Sequence, residues 1–207
     1  MYKSIVIIIS IFIMSCSATS QYKDINDTLY KSMRDGLLEK YKGNILTPKN
    51  VKEINLNSLP KHFSFILSDY ENGKKDIHNS EYLHKYESIN DGKHQFTSTF
   101  SSEKYPTEIK HYYIKGNQTI YTKSGRNYGA GLSRCSFVVG KCNFTLYPSL
   151  KVLEAKTSFK KGLWITQYKT SLGAVIQQVA VYDKFGLPIY KYSISSLTKE
   201  PIVMVRK

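Results

Sequence analysis

The chain has 207 residues, 41% of them hydrophobic, 22% charged and 13% aromatic. That balance excludes a disordered or collagen-like chain and fits one domain, large enough to fold without a metal or a dense disulfide network. The formal net charge of +14 is unevenly divided: Cys16 to His111 holds 14 basic and 13 acidic side chains, whereas 15 basic residues between Tyr112 and Lys207 face only Glu154, Asp183 and Glu200. An excess of this size favours anionic partners and speeds their encounter.

Residues 1–15 read as a signal peptide, with one cation at Lys3, an apolar run from Ile5 to Ile13, and Ser15 before a cysteine. The run is far short of the roughly 20 residues of a membrane-spanning helix, so removal of the leader is expected. At Ile13, Met14, Ser15 and Cys16 the sequence resembles the lipobox of bacterial lipoproteins, and the resemblance is confined to this leader. It implies that Cys16 becomes the first mature residue and carries lipid on its sulfur and its amine, several acyl chains giving a stable membrane anchor. Ser17 in place of Asp implies sorting to the outer membrane, with the domain facing the periplasm. A conventional secretory leader is the alternative. With Cys16 lipidated, Cys135 and Cys142 remain as a pair around a short loop, and no Cys-x-x-Cys redox motif is present. A structural disulfide in an oxidising compartment is expected, against a reactive or metal-binding pair.

Residues 16–22 serve as a tether, and 23–207 are expected to form a single mainly β domain. Ile25, Leu29, Met33, Leu37 and Tyr41 recur at helical spacing, predicting one amphipathic helix over about 24–43, started by Asp24 or Asp27 and ended by Gly43. Its stripe is expected to pack on a sheet. Residues 44–60, with Pro48 and Pro60, read as a linker. Beyond Pro60 the period changes to two, predicting strands at 63–70, 82–89, 94–101, 108–115, 118–123, 134–139, 142–147, 152–159, 163–170, 174–182, 188–195 and 202–206. The turn pairs Asn72-Gly73, Asp91-Gly92, Gly116-Asn117, Gly140-Lys141, Lys161-Gly162, Leu172-Gly173 and Phe185-Gly186 separate these runs. An antiparallel meander is the economical topology, and so many strands are expected to form a curled sheet, a sandwich or a barrel-like body. Alternation splits Leu163 and Ile165 from Trp164, Thr166 and Tyr168 without saying which set faces inward. Short, Lys-rich strands argue against a transmembrane barrel.

Catalytic and metal-binding patterns are missing. His62, His78, His84, His94 and His111 match no zinc spacing, no Gly-x-Ser-x-Gly elbow occurs, and the three acids after His111 form no close carboxylate pair. No enzyme activity and no cofactor are therefore expected, an envelope hydrolase using first-half residues being the distant alternative. The Ser124 to Ser133 segment, with Gly125, Gly129 and Gly131 around Arg126, Asn127, Tyr128 and Arg134, reads as a loop able to cradle an anion, or as a plain hairpin connection. Tyrosines interleave with lysines at Tyr112, Tyr113, Lys115, Tyr121, Lys123, Tyr168, Lys169, Tyr190, Lys191 and Tyr192, suggesting a basic, tyrosine-rich binding surface, although tyrosine is also a good strand former. Lys156, Lys160, Lys161 and Lys169 are the candidate cations of that surface. An exported, tethered domain has little occasion to meet nucleic acid. The expected function is a non-enzymatic envelope lipoprotein binding a protein partner, of which a toxin-neutralising immunity lipoprotein covering an acidic effector is one form. A structural lipoprotein on peptidoglycan or anionic lipid is the rival.

Overall fold

The computed structural model describes residues 30–60, 62–71, 74–89, 93–115, 118–123, 126–130, 134–146, 149–170, 172–197 and 201–207. The leader, Cys16, the tether and the first part of the expected helix lie outside them. Lys31–Lys40 forms the helix α1, after which the chain turns through Gly43 at φ +82°. A left-handed backbone is least strained at glycine, so the sequence-based stop signal is where the helix run ends.

Among the described residues, thirteen antiparallel strands follow in one curled, unclosed sheet. In chain order they are β1 (Phe63–Glu71), β2 (Lys74–Lys75), β3 (Glu81–Ile89), β4 (Lys93–Ser101), β5 (Glu108–Lys115), β6 (Gln118–Lys123), β7 (Arg126–Ala130), β8 (Gly140–Leu146), β9 (Lys151–Lys160), β10 (Leu163–Lys169), β11 (Val175–Tyr182), β12 (Pro188–Ser195) and β13 (Pro201–Arg206). Sequential hairpins give the order β7-β6-β5-β4-β3-β1 on one wing and β13-β12-β11-β10-β9-β8 on the other, with β2 paired to β1 alone. The wings join where β1 pairs β13, Leu67 opposite Arg206 and Tyr70 opposite Val203. The β9–β10 turn shows why the sequence folds locally as it does. Lys161 and Gly162 both have positive φ, at +51° and +83°, the twist that a two-residue hairpin requires.

Alternation sends one set of side chains to each face. On the outer face Val179, Val181, Tyr190, Tyr192, Val203 and Val205 form a core with Leu37 and Tyr30, and Met33, Leu38, Tyr41, Leu163 and Ile165 pack against it. The helix stripe thus does cover the sheet, and Leu163 and Ile165 belong beneath it. Trp164, Thr166 and Tyr168 take the inner face.

The segment read as a linker is instead core. Leu46, Leu56 and Leu59 are buried, and Val51 and Ile54 pack beside them. Two short 3-10 turns, Val51–Glu53 and Leu56–Ser58, let this segment lie on the inner face. Its start is fixed at three points: Ile45 bridges Asp183, the Leu46 amide donates to Tyr182 O at 2.9 Å, and Trp164 Nε1 donates to Leu46 O at 2.8 Å. The 134–139 segment is not a strand either, and Gly140-Lys141 is not a turn between strands but the start of β8. Arg134–Phe137 is a 3-10 turn whose Phe137 ring meets Trp164 and Tyr182 edge-on at 5.7 and 4.8 Å. Burial of that ring, and the tie of Cys135 to β8, outweigh the strand propensity of a short apolar run.

Candidate functional site

The meander turns the division of charge along the sequence into a division in space. Residues 140–169, which make β8 to β10 and their turns, contain six lysines and a single acid, Glu154. Lys141, Lys151, Lys156, Lys160, Lys161 and Lys169 are all exposed. The register puts Lys141 directly opposite Lys156, and Lys156 opposite Gln167 in turn, so that Lys141, Lys156, Lys160 and Lys169 share the outer face. Like charges facing each other across a ladder are destabilising, a cost of a few tenths of a kcal/mol to about 1 kcal/mol. Glu154 pairs with Lys141 at 3.4 Å, both side chains more than half exposed, which offsets little of it. Among the described residues no acid pairs with Lys156, Lys160 or Lys169. Val152 on the same face is 60% exposed, and Val175, opposite Lys169, is 36% exposed, so apolar surface lies between the cations.

This surface is bounded by the end strand of its wing. Among the described residues β8 pairs with β9 alone, and the sheet curls so that β7, the last strand of the other wing, comes close beside it. Cys135 and Cys142 lie at disulfide distance with Cα atoms 5.4 Å apart, which ties the 3-10 turn to this edge strand.

The other residues singled out by sequence are scattered. Cys16 lies outside the described residues. Arg126, Asn127 and Tyr128 are not in a loop; they belong to β7, at the other end of the strand order from β8 though close to it in the curled sheet, and Arg134 begins the 3-10 turn. The glycines of that stretch concealed a strand pairing with β6, where the register shifts between Tyr121 and Thr122. The tyrosine-rich surface is corrected at Tyr168, Tyr190 and Tyr192, the side chains of Tyr112, Tyr113 and Tyr121 lying outside the described ones. Tyr190 and Tyr192 are buried beneath α1, and Tyr168 is half-buried on the inner face against Phe144. The exposed apolar groups among the outer lysines are valines.

The histidines take separate partners. His62 is exposed, His78 meets the Tyr105 ring, His94 Nδ1 lies 2.7 Å from the Tyr86 hydroxyl, and His111 Nδ1 lies 3.3 Å from Thr97 Oγ1. His84 stacks on Phe65 at 4.7 Å, and its pKa falls to about 4 through burial and the nearby Lys191 and Arg206 charges. Among the described residues no group of three or more His, Cys, Asp or Glu could hold a metal ion, and no helix is long and apolar enough to cross a membrane.

Sequence reasoning missed the titratable groups of the inner face. Lys191 on β12 sits between Ala180 and Met204 and is partly buried, which lowers its pKa. Arg206 donates to Asp183 Oδ2 at 2.7 Å and to Pro188 O at 2.8 Å, its guanidinium 4.7 Å from the Phe65 ring centre. Asp69 on β1 has its Oδ1 buried without a partner among the described residues, and burial together with Asp76 raises its pKa to about 6. The only sequence signal for any of these was an ionisable residue at an inward position of an alternating strand, which cannot be recognised before the inward face is known.

Asp69 gives a pH prediction with a definite sign. Because its folded pKa is above its unfolded value of 3.8, ionisation costs more in the fold. Stability is fully retained below that value and is lost as pH rises through about 6. Asp69→Asn should therefore stabilise the protein at pH 7.5 by about 1 kcal/mol, discounted for solvent screening, and by nearly nothing at pH 4. Urea unfolding of both proteins at the two pH values measures this.

The chain matches no protein-family model, no curated protein and no solved structure.

Proposed function

We propose that the protein is a non-enzymatic, lipid-anchored envelope protein that docks an acidic protein partner on the outer face of β8 to β10. The observation that carries the reading is the set of exposed lysines, with Lys141 facing Lys156 and one acid in the whole stretch. A patch that repels itself lowers stability, and a partner's carboxylates would relieve that repulsion while steering the encounter. A polypeptide partner is favoured over a polymer or lipid because exposed apolar side chains lie among the lysines, as they do at protein interfaces. Exposed Val152 and Val175 give it apolar contact. Occlusion of an effector in this way is how a toxin-neutralising immunity lipoprotein would act.

Two measurements test the proposal. Mass spectrometry of the native protein should show a chain beginning at an acylated Cys16; an uncleaved leader or a free thiol there would remove the envelope anchor from it. Capture from envelope extract should retain an acidic protein on the wild type and not on the Lys156→Glu, Lys160→Glu, Lys169→Glu triple variant. Equal retention by both would overturn the assignment of the face. Salt-sensitive binding to isolated sacculi or anionic vesicles, with no protein captured, would replace the protein partner by peptidoglycan or lipid.

A further inference from the structure

Each wing is a run of antiparallel hairpins, so its turns alternate between the two ends of the sheet. Residues 44–60 pack at one end, where Ile45 bridges Asp183 of the β11–β12 turn and Gly186 of that turn lies against Phe137 and Ile54. The connections at the opposite end carry exposed apolar side chains. On the wing of β8 to β13 these are Leu150 before β9, Leu172 between β10 and β11, and Leu197 after β12, which are 65%, 88% and 69% exposed. At the end packed by 44–60, Val138 and Val139 are the only large apolar residues so exposed among the described residues.

Two strand spacings, about 10 Å, separate one leucine-bearing turn from the next, so the three tips form a row of separate apolar points. Leu150 also stands at φ +53°, a left-handed conformation that glycine or asparagine adopts with less strain. The charge beside the tips is positive. Lys151 is exposed next to Leu150, the Lys169 stem runs along the turn at Gly173, and Lys199 and Glu200 after Leu197 offset each other in charge. The other acids of this wing lie elsewhere: Glu154 pairs with Lys141, and Asp183 is enclosed at the opposite end. The β1 to β7 wing, by contrast, carries Asp76, Glu103 and Glu108 in or beside its connections at the leucine end.

We infer that this row of turns docks on the surface of an anionic phospholipid bilayer, Leu150, Leu172 and Leu197 entering the acyl boundary while Lys151 and Lys169 meet the lipid phosphates. A side chain at the tip of a turn can enter a bilayer without drawing strand backbone into it, as a valine lying flush on the outer face cannot. Apolar tips with cations beside them match the layering of that surface, apolar beneath anionic. The acids of the other wing confine the contact to the β8 to β13 side. The docking is additional to a protein partner on the outer face. It uses other apolar residues and rests neither on that reading nor on the Cys16 anchor.

Tryptophan placed at a tip reports its entry into lipid. The intact protein is mixed with vesicles of equal parts phosphatidylglycerol and phosphatidylcholine carrying brominated acyl chains, which quench tryptophan on contact. Emission of Leu172→Trp should lose at least half its intensity and shift to shorter wavelength. Val139→Trp, at the opposite end, should gain no quenching over the wild type, whose single tryptophan, Trp164, is buried against Leu46. Adding Leu150→Gln and Leu197→Gln to Leu172→Trp should cut the quenching at least threefold, and so should vesicles of brominated phosphatidylcholine alone; all these positions are exposed, so the fold is kept. The Leu150→Gln, Leu172→Gln, Leu197→Gln variant should capture an acidic protein as the wild type does. No quenching of Leu172→Trp, equal quenching of Val139→Trp, or quenching unaltered by the glutamines or by omitting phosphatidylglycerol would each overturn the inference. Loss of protein capture by the triple glutamine variant would overturn it too, assigning the leucines to a protein interface.

Discussion

Asp183→Asn should destabilise the protein by about 3–5 kcal/mol, the usual cost of breaking a buried ion pair from one side. The pair is almost wholly enclosed, with 8% and 7% of the Asp183 and Arg206 side chains exposed. Asp183 does more than neutralise Arg206. Its Oδ1 accepts from the Phe185 and Leu187 amides at 2.9 and 3.0 Å, and its own amide donates to Leu187 O at 2.9 Å, so one residue builds the turn between β11 and β12. Arg206 then ties that turn to β13, the strand that joins the two wings through β1. The asparagine leaves the guanidinium charged and buried, with Nη2 already lacking a partner among the described residues. Replacing both residues, as in Asp183→Asn with Arg206→Met, should recover part of the loss because no uncompensated charge remains. Urea unfolding of the three variants measures it, and a double variant as unstable as the sum of the singles would show that the ion pair is not the cause.

Leu46→Ala should cost about 2–5 kcal/mol, the range for truncating a fully buried leucine. Leu46 has no exposed surface, and its carbonyl holds the indole of Trp164. A residue in a true linker would lose a few tenths at most. The same substitution should shift Trp164 emission to longer wavelength, because the cavity opens beside the indole. An unchanged unfolding midpoint would return residues 44–60 to the status of a linker.

These two cases mark how far the fold could be read from sequence. The hairpins were legible because alternation and Gly-containing turns are local signals, and β5, β6 and β12 begin and end where the pattern places them. The β1–β13 pairing was not legible, since nothing in Phe63–Glu71 or Pro201–Arg206 identifies a partner so distant in the chain. The inner role of 44–60 was hidden for a related reason. Leu46, Leu56 and Leu59 follow neither a helical nor a strand period, and the prolines and asparagines around them suit a loop. Tyrosine misled because a large ring with one polar atom serves a core as well as a surface; Tyr190 and Tyr192 went beneath the helix. The basic surface survived this correction in part. Lys156, Lys160, Lys161 and Lys169 are exposed, the first two and Lys169 on one face, while the Arg126 to Tyr128 group went to β7, the end strand of the other wing.

The most direct test of the outer-face assignment is the association rate of the captured partner as a function of ionic strength. Between about 0.02 M and 0.5 M salt the screening length shrinks to about 4 Å, so steering by exposed charge is lost over this range. The wild-type rate should fall at least tenfold across it, and the rate for the Lys156→Glu, Lys160→Glu, Lys169→Glu variant should start low and change little. A wild-type rate that does not vary with salt would contradict the account.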